Sequence, residues 1–297
     1  MPLISENFGN LLEPGLRKVF ANMFNRQRSM LDVLYNMQTS DKAVEHDLGM
    51  GDTSDLEEFT GSIPYDDQGE GYKTDYEHKE YVRGIKIERK LVLNDLYSQI
   101  NKKPQGLALG AFRRKERDGA SVFNNAVNAS VLGGDGVALG STAHPSKNGG
   151  ANQSNLLTDA LSPTAVETAR QTMVAFKTDR DNEMTTIPDM ILVPHQLEET
   201  AWEIINSKGK VDTAQNNANF HQGKYKLVVW NNFLTSATRW FMIDSEMMKM
   251  YLNWFDRESL EFFKDQNFDT LTAKYAAHAH YSFGWSDWRW VLVENAS

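Results

Sequence analysis

The stretch Tyr72–Leu93, YKTDYEHKEYVRGIKIERKLVL, decides how the rest of this chain is read. Tyr81, Ile85, Ile87, Leu91 and Leu93 share one parity, and Glu80, Lys86, Glu88 and Lys90 share the other. Successive side chains of a strand point to opposite faces, so the pattern predicts one very long strand. Gly84 marks a bend or bulge within it. At about 3.3 Å per residue such an arm reaches roughly 60–70 Å, whereas ordinary strands run to about 5–6 residues. A charged two-stranded ribbon of that length has too little apolar surface to stand alone. The expectation is a projecting hairpin that is braced by a second subunit. The alternative is that the stretch divides into two ordinary strands of a compact sheet. Periodicity does not choose between the two.

Working outward, Phe59–Tyr65 is short and extended, and Asp66-Asp67-Gln68-Gly69-Glu70-Gly71 is a turn signal. Asp41–Glu58, acidic and rich in glycine, reads mostly as loop. Glu13–Asn36 predicts a helix, with Leu16, Val19, Phe20, Met23 and Phe24 at helical spacing. On the other side, Pro104–Ser130 predicts one long helix with Pro104 at its first position, roughly 40 Å in length. Gly106, Gly110 and Gly119 each weaken it by about 1 kcal/mol relative to alanine, which points to close packing or a bend. Beyond the stop at Gly133-Gly134-Asp135-Gly136, Ser162 caps a helix opened by Pro163, and Val166, Ala169, Met173 and Phe176 form its inner stripe. Met190–Val193 is a short buried strand, and Pro194 opens a helix that ends near Ser207. Lys208–Gly223 is a polar surface loop. Lys226–Trp230, Trp240–Ile243, Ser259–Phe263, Thr272–Phe283 and Trp288–Val293 read as strands, and Asp244–Asn253 is undecided. The chain is of the α+β class.

Composition narrows the function. The 297 residues are 40% hydrophobic and 24% charged, which is enough apolar material for a packed core. There is no cysteine, which excludes disulfides, thiolate metal sites and thiol nucleophiles. Met1–Asn10 lacks the basic start and apolar run of a secretion signal. No run approaches the roughly 18 apolar residues of a membrane span, so no membrane partner is expected. A net charge of −9 argues against sequence-specific nucleic-acid binding, which concentrates Lys and Arg. The one dense basic run, Arg113-Arg114-Lys115-Glu116-Arg117, lies inside the long helix and reads as a solvated face or a subunit contact.

The motifs that carry chemistry elsewhere fail here on context. Gly133–Gly140 has a GxG look, but a dinucleotide fingerprint follows a strand and opens a helix, and here a helix precedes it. Asp179-Arg180-Asp181-Asn182-Glu183 starts like a calcium loop, but Met184 and Met190 hold the places that need Gly and Glu. His278 and His280 share a strand face with no third ligand at suitable spacing. Ser141, His144 and Asp159 are the right residue types for a triad, without a nucleophile elbow. Trp285, Trp288 and Trp290 beside Asp287 are the basis of a rival reading, a carbohydrate-active enzyme or lectin. No catalytic residue, metal or cofactor is expected.

The order of elements resembles the major capsid fold of tailed phages, the Hong Kong 97 type. More narrowly it resembles the major head subunits of Mu-like phages. The stretches that carry the resemblance are Leu107-Ala108-Leu109-Gly110-Ala111 through Val122-Phe123-Asn124-Asn125-Ala126, Leu139-Gly140-Ser141-Thr142-Ala143-His144-Pro145, Ser154-Asn155-Leu156-Leu157, and Leu192-Val193-Pro194 leading into a helix. The resemblance implies an N-terminal arm over residues 1–48 and an extended loop over 49–93. It implies a peripheral domain with its spine helix over 94–130, an axial domain over 131–240, and C-terminal strands at 241–297 returning to the peripheral domain. It implies a homo-oligomer of hexamers and pentamers, a separate scaffold protein, a portal, and packaged double-stranded DNA contacted without sequence preference. The product would be made in a bacterial host cytoplasm and end in the virion capsid. A tail-tube or decoration subunit is the other structural reading. Some members of the family cross-link through a lysine on the extended loop; Lys73 and Lys79 lie in that region, but no acceptor is identifiable and cross-linking is not expected. The residues expected at subunit contacts are Tyr65, Asp66, Asp67, Lys73, Tyr76, Lys79 and Arg83 on the loop, and Arg113, Arg114 and Arg117 on the spine helix.

Overall fold

A computed structural model describes residues 8–59, 61–63, 65, 69–88, 90, 99–209, 217–267 and 272–296. Three sheets organise them. A four-stranded sheet runs in the order β1 (Asn36–Thr39), β9 (Leu252–Asn267), β10 (Thr272–Trp285), β4 (Lys79–Glu88). A five-stranded sheet runs β5 (Leu156–Leu157), β11 (Val291–Glu294), β8 (Trp240–Ile243), β6 (Met190–Val193), β7 (Lys226–Val229). The third is a two-stranded ribbon of β2 (Val44–Met50) and β3 (Glu70–Glu77).

The single long strand expected over Tyr72–Leu93 is corrected as far as Glu88; residues 89 and 91–93 lie outside the described residues. It divides at His78, as the alternative reading held, although its halves join two different sheets. β3 pairs antiparallel with β2, from Val44 opposite Glu77 to Met50 opposite Glu70. β4 pairs antiparallel with β10, from Lys79 opposite Tyr281 to Glu88 opposite Thr272. The inward parity changes at the same point, because Tyr76 is buried on one side of His78 and Ile87 on the other. A two-residue alternation cannot keep an even and an odd position on one face, so the strand must break or twist between them. The His78 ring fastens the break, with Nε2 3.2 Å from Ser40 Oγ and Nδ1 3.0 Å from Ser282 Oγ. The ribbon therefore spans Val44–Glu77 rather than 49–93.

Two apolar cores result. The smaller lies under α1 (Phe8–Asn25) and the first half of α3 (Gln99–Asn124), where Leu16, Phe20, Leu107 and Ala108 meet Ile87, Phe262, Tyr275 and Ala277 of the four-stranded sheet. The larger surrounds the five-stranded sheet and includes α4 (Pro163–Val174), α5 (Glu198–Asn206) and the second half of α3. β6 and β8 are buried along their whole length, as expected of central strands covered on both faces. Ser162 caps α4 by accepting from Ala165 N, and Asp244 caps α6 (Ser245–Tyr251) by accepting from Glu246 N and Met247 N. That second cap resolves the undecided segment 244–253.

Other expectations are adjusted. The helix expected over Glu13–Asn36 is α1 followed by a short α2 (Leu31–Leu34) and then β1. The long helix begins at Gln99 and ends at Asn124, which places Pro104 inside it. Of its glycines, Gly119 is the closely packed one: a Cβ there would lie 2.1 Å from Leu31 Cδ2. Tyr35 donates its hydroxyl to the Gly119 carbonyl at 2.7 Å across the same contact. The C-terminal segment does not return as a unit. β9 and β10 join the four-stranded sheet, while β11 joins the five-stranded one between β5 and β8. Among the described residues no helix is long and apolar enough to cross a membrane.

Candidate inter-subunit surface

The two-stranded part of the ribbon lies on its own chain up to its loop end. Tyr72 donates its hydroxyl to Pro145 O at 3.3 Å, and Lys147 Nζ donates to Gly71 O at 2.6 Å. Asp52 N donates to Asp179 Oδ1 at 3.1 Å, and Asn182 Nδ2 donates to Asp52 Oδ2 at 2.8 Å. Hydrogen bonds from Asn182 and Thr178 hold the Asp52 carboxyl below its ordinary pKa. Gly71 allows the two strands to close, since a Cβ there would lie 2.5 Å from the Gly49 carbonyl carbon. The expectation that only another subunit braces the ribbon is thus corrected for its paired strands.

The tip differs. Leu56 is 102% exposed, Phe59 71%, Ile63 64% and Tyr65 91%. These apolar side chains are interleaved with the exposed carboxylates of Asp55, Glu57 and Glu58. Clustered exposed apolar groups rimmed by charge mark an interaction surface.

A groove of about 480 Å³ runs between α3 and strands β4 and β10. Leu107, Ala111, Ala277, Ala279 and Tyr81 give it an apolar floor. Gly106 and Gly110 keep the helix side low, with open space where a Cβ would stand. The rim is cationic, with Arg83 from β4 and Arg113, Arg114 and Arg117 from α3. Arg114 is committed locally: its Nε donates to Asp118 Oδ2 at 2.8 Å and its guanidinium lies 4.5 Å from the Tyr81 ring centre. Arg83, Arg113 and Arg117 are exposed and have no ion pair among the described residues. The interrupting Glu116 turns inward, accepting from Ser29 Oγ at 2.6 Å and Trp230 Nε1 at 2.9 Å. Burial raises its pKa above the usual carboxylate range against those hydrogen bonds.

The structure thus brings together Arg83, Arg113, Arg114 and Arg117 from two distant parts of the sequence. Tyr65 stands on the tip, away from them. Lys73 is on the ribbon, paired with Asp75 at 3.0 Å. Lys79 is exposed at the start of β4. Tyr76 is corrected from contact residue to core residue. It is 3% exposed, with its ring 5.1 Å from that of Phe255, and burial pushes its hydroxyl up to about 12. Asp66 and Asp67 lie outside the described residues. Residue reasoning missed Leu56, Phe59 and Ile63 on the tip, although three large apolar residues in an otherwise acidic loop were a visible signal.

The chemical alternatives lose their geometry. His144 is buried, with Nδ1 2.6 Å from Asp135 Oδ2 and Nε2 2.9 Å from Asn155 Oδ1, so it makes no pair with Ser141 or Asp159. Its ring stacks on Trp288 with centroids 4.2 Å apart. Trp285, Trp288 and Trp290 are all buried, which removes the open aromatic platform that a sugar-binding reading needs. Among the described residues no three His, Asp or Glu side chains are grouped to hold a metal.

A family model described as phage capsid protein matches residues 71–293, most of the chain. No curated protein matches it. Among solved structures, the capsid of the cyanophage P-SCSP1u is similar with a TM-score of 0.60 at 10% identity, over 92% of this chain and 89% of that one. The bacteriophage JBD30 capsid is similar with a TM-score of 0.59 at 11% identity, over 70% and 92%. The mature capsid of bacteriophage PhiM1 gives 0.59 at 10%, over 91% and 88%. At such identities the likeness establishes the fold and no more.

Proposed function

The chain belongs to the phage capsid protein family, and from that premise we propose that it is the major head subunit whose copies close into an icosahedral shell around double-stranded DNA. Its place is the virion capsid. The fold is of the Hong Kong 97 type, and the order of elements resembles that of Mu-like head subunits. α1, α3 and the four-stranded sheet form the peripheral domain. The five-stranded sheet with α4 and α5 forms most of the axial domain, and hexamers and pentamers gather around it.

One observation carries this reading. The chain bears an acidic, apolar tip and a basic, apolar groove, and among the described residues no tip residue lines the groove. Two complementary surfaces that do not meet within one copy are satisfied by a second copy, head to tail. Such a contact repeats, and closure converts many modest contacts into a stable shell. A separate scaffold protein and a portal complete the assembly partners. DNA is contacted without sequence preference, in keeping with a net charge of −9.

The test replaces Asp55–Tyr65 with a short Gly-Ser linker. Removing Asp66–Lys79 instead would delete β3 and the buried Tyr76, and would test folding rather than assembly. The expected product is a folded subunit with parental thermal stability that forms no shells under conditions where the parent does. Parental shell yield, seen by negative-stain microscopy, would contradict the proposal.

A further inference from the structure

Six of the seven tryptophans are buried; Trp202, on α5, is 58% exposed. Around it α5 exposes Glu198, Glu199 and Glu203, none of which is in an ion pair among the described residues. The helix buries Ala201, Ile204 and Ile205 in the larger core, so this exposed outer face has no partner among the described residues.

A second patch has the opposite character. Phe220 is 51% exposed, and Lys224 Nζ sits 3.0 Å from its ring centre. Arg170 lies 5.6 Å from the same ring but is already paired with Glu167 at 2.6 Å, whereas Lys224 has no ion pair among the described residues. The loop carrying Phe220 is tied to α5 by Asn219 Nδ2, which donates to Ile204 O at 2.6 Å and Ser207 O at 3.0 Å. Both acceptors are carbonyls at the C-terminal end of α5, so the Phe220 loop caps that end, while Trp202 stands on the helix's outer face. The two patches are therefore distinct surfaces of one copy.

We propose that the Trp202 face of α5 in one copy packs on the Phe220–Lys224 patch of the next copy, as a second head-to-tail contact in the ring. The inference rests on the shell-forming function proposed above. One face is acidic and the other basic, each has an aromatic at its centre, and they are separate surfaces of one copy. Tryptophan anchors of this kind dominate interface energies. Distinct, unlike patches give a heterologous contact, which closes into a ring when the rotation between copies allows it.

The test uses the full-length chain. Glu199→Lys with Glu203→Lys reverses one patch, and Lys224→Glu reverses the other. Each reversal is expected to raise the concentration needed for assembly roughly tenfold, with an unchanged melting temperature. All three substitutions together should return it to within about threefold of the parent. Acrylamide should quench a tryptophan in free subunits that it no longer reaches in particles. Reversals that assemble like the parent, a combination no better than its parts, or a quenchable tryptophan surviving in particles would each overturn the pairing. A parent chain that forms no particles would overturn the shell-forming function itself, and this pairing with it.

Discussion

Truncating the two most prominent apolar groups of the ribbon tip, Leu56→Ala with Phe59→Ala, should raise the critical concentration for assembly about a hundredfold and leave the free subunit unharmed. Leu56 is 102% exposed and Phe59 71%, so neither contributes to the fold of a single copy. If the tip enters a neighbour's groove, both become covered. Burying a large apolar side chain is worth about 1.5–3 kcal/mol relative to leaving it exposed. Shortening both to alanine gives up roughly 3 kcal/mol per contact after the residual Cβ burial is allowed for. Each copy donates one tip and receives one, so the cost per subunit added is one such contact. At about 1.4 kcal/mol for each tenfold change, that is roughly two decades in critical concentration. Light scattering against protein concentration reads the threshold, and calorimetry reads subunit stability. A threshold within about twofold of the parent would refute the tip as an adhesive element. A large fall in melting temperature would show that the tip belongs to the subunit's own fold.

Three further expectations follow from particular residues. Gly110→Leu fills the groove from the helix side, where a Cβ meets nothing, so it should stabilise the subunit by up to about 1 kcal/mol through helix propensity while blocking assembly. Chemical denaturation paired with electron microscopy checks both halves. Tyr76→Ala empties a site in the core and should cost about 3 kcal/mol of subunit stability, measured by denaturant unfolding, in contrast to the surface role expected from its position on the loop. Glu294 is fully buried on β11, and burial pushes its carboxyl up to about 7 from 4.5 against the hydrogen bond from Asp159 N, with the Asp159 charge adding to the rise. A raised carboxylate pKa means that the folded state binds the proton more tightly, so stability falls as pH rises from about 4.5 through about 7. Glu294→Gln should flatten that slope of a few kcal/mol in melting profiles taken between about pH 5 and 8. An unchanged slope would place its origin elsewhere.

Local chemistry was legible where one element answers to one signal. Ser162 followed by Pro163 gave the start of α4, and the uniformly apolar Met190–Val193 and Trp240–Ile243 gave central strands. The break at His78 was less legible because each half of Tyr72–Leu93 alternates acceptably alone. Only the change of inward parity between Tyr76 and Ile87 records the switch of sheets. β2 was hidden because its strand carries Glu45, Asp47 and Gly49 in an acidic context, and it is stabilised by pairing with β3 rather than by its own propensity. The basic run on α3 was visible, but its function as a rim was not. That depends on Arg83 arriving from β4 and on Glu116 turning inward to Trp230, both long-range contacts. Element order carried the resemblance to phage capsids, since architecture survives changes that erase short motifs.

The central claim is that each copy is completed by its neighbour, tip into groove. Electron cryomicroscopy of particles assembled from the full chain tests it most directly. The prediction is a closed shell of hexamers and pentamers, with density for the segment around Leu56 and Phe59 of each copy lying between α3 and β4 of the next. A tube, a small ring, or a shell whose grooves stand open while the tips point into solvent would contradict it.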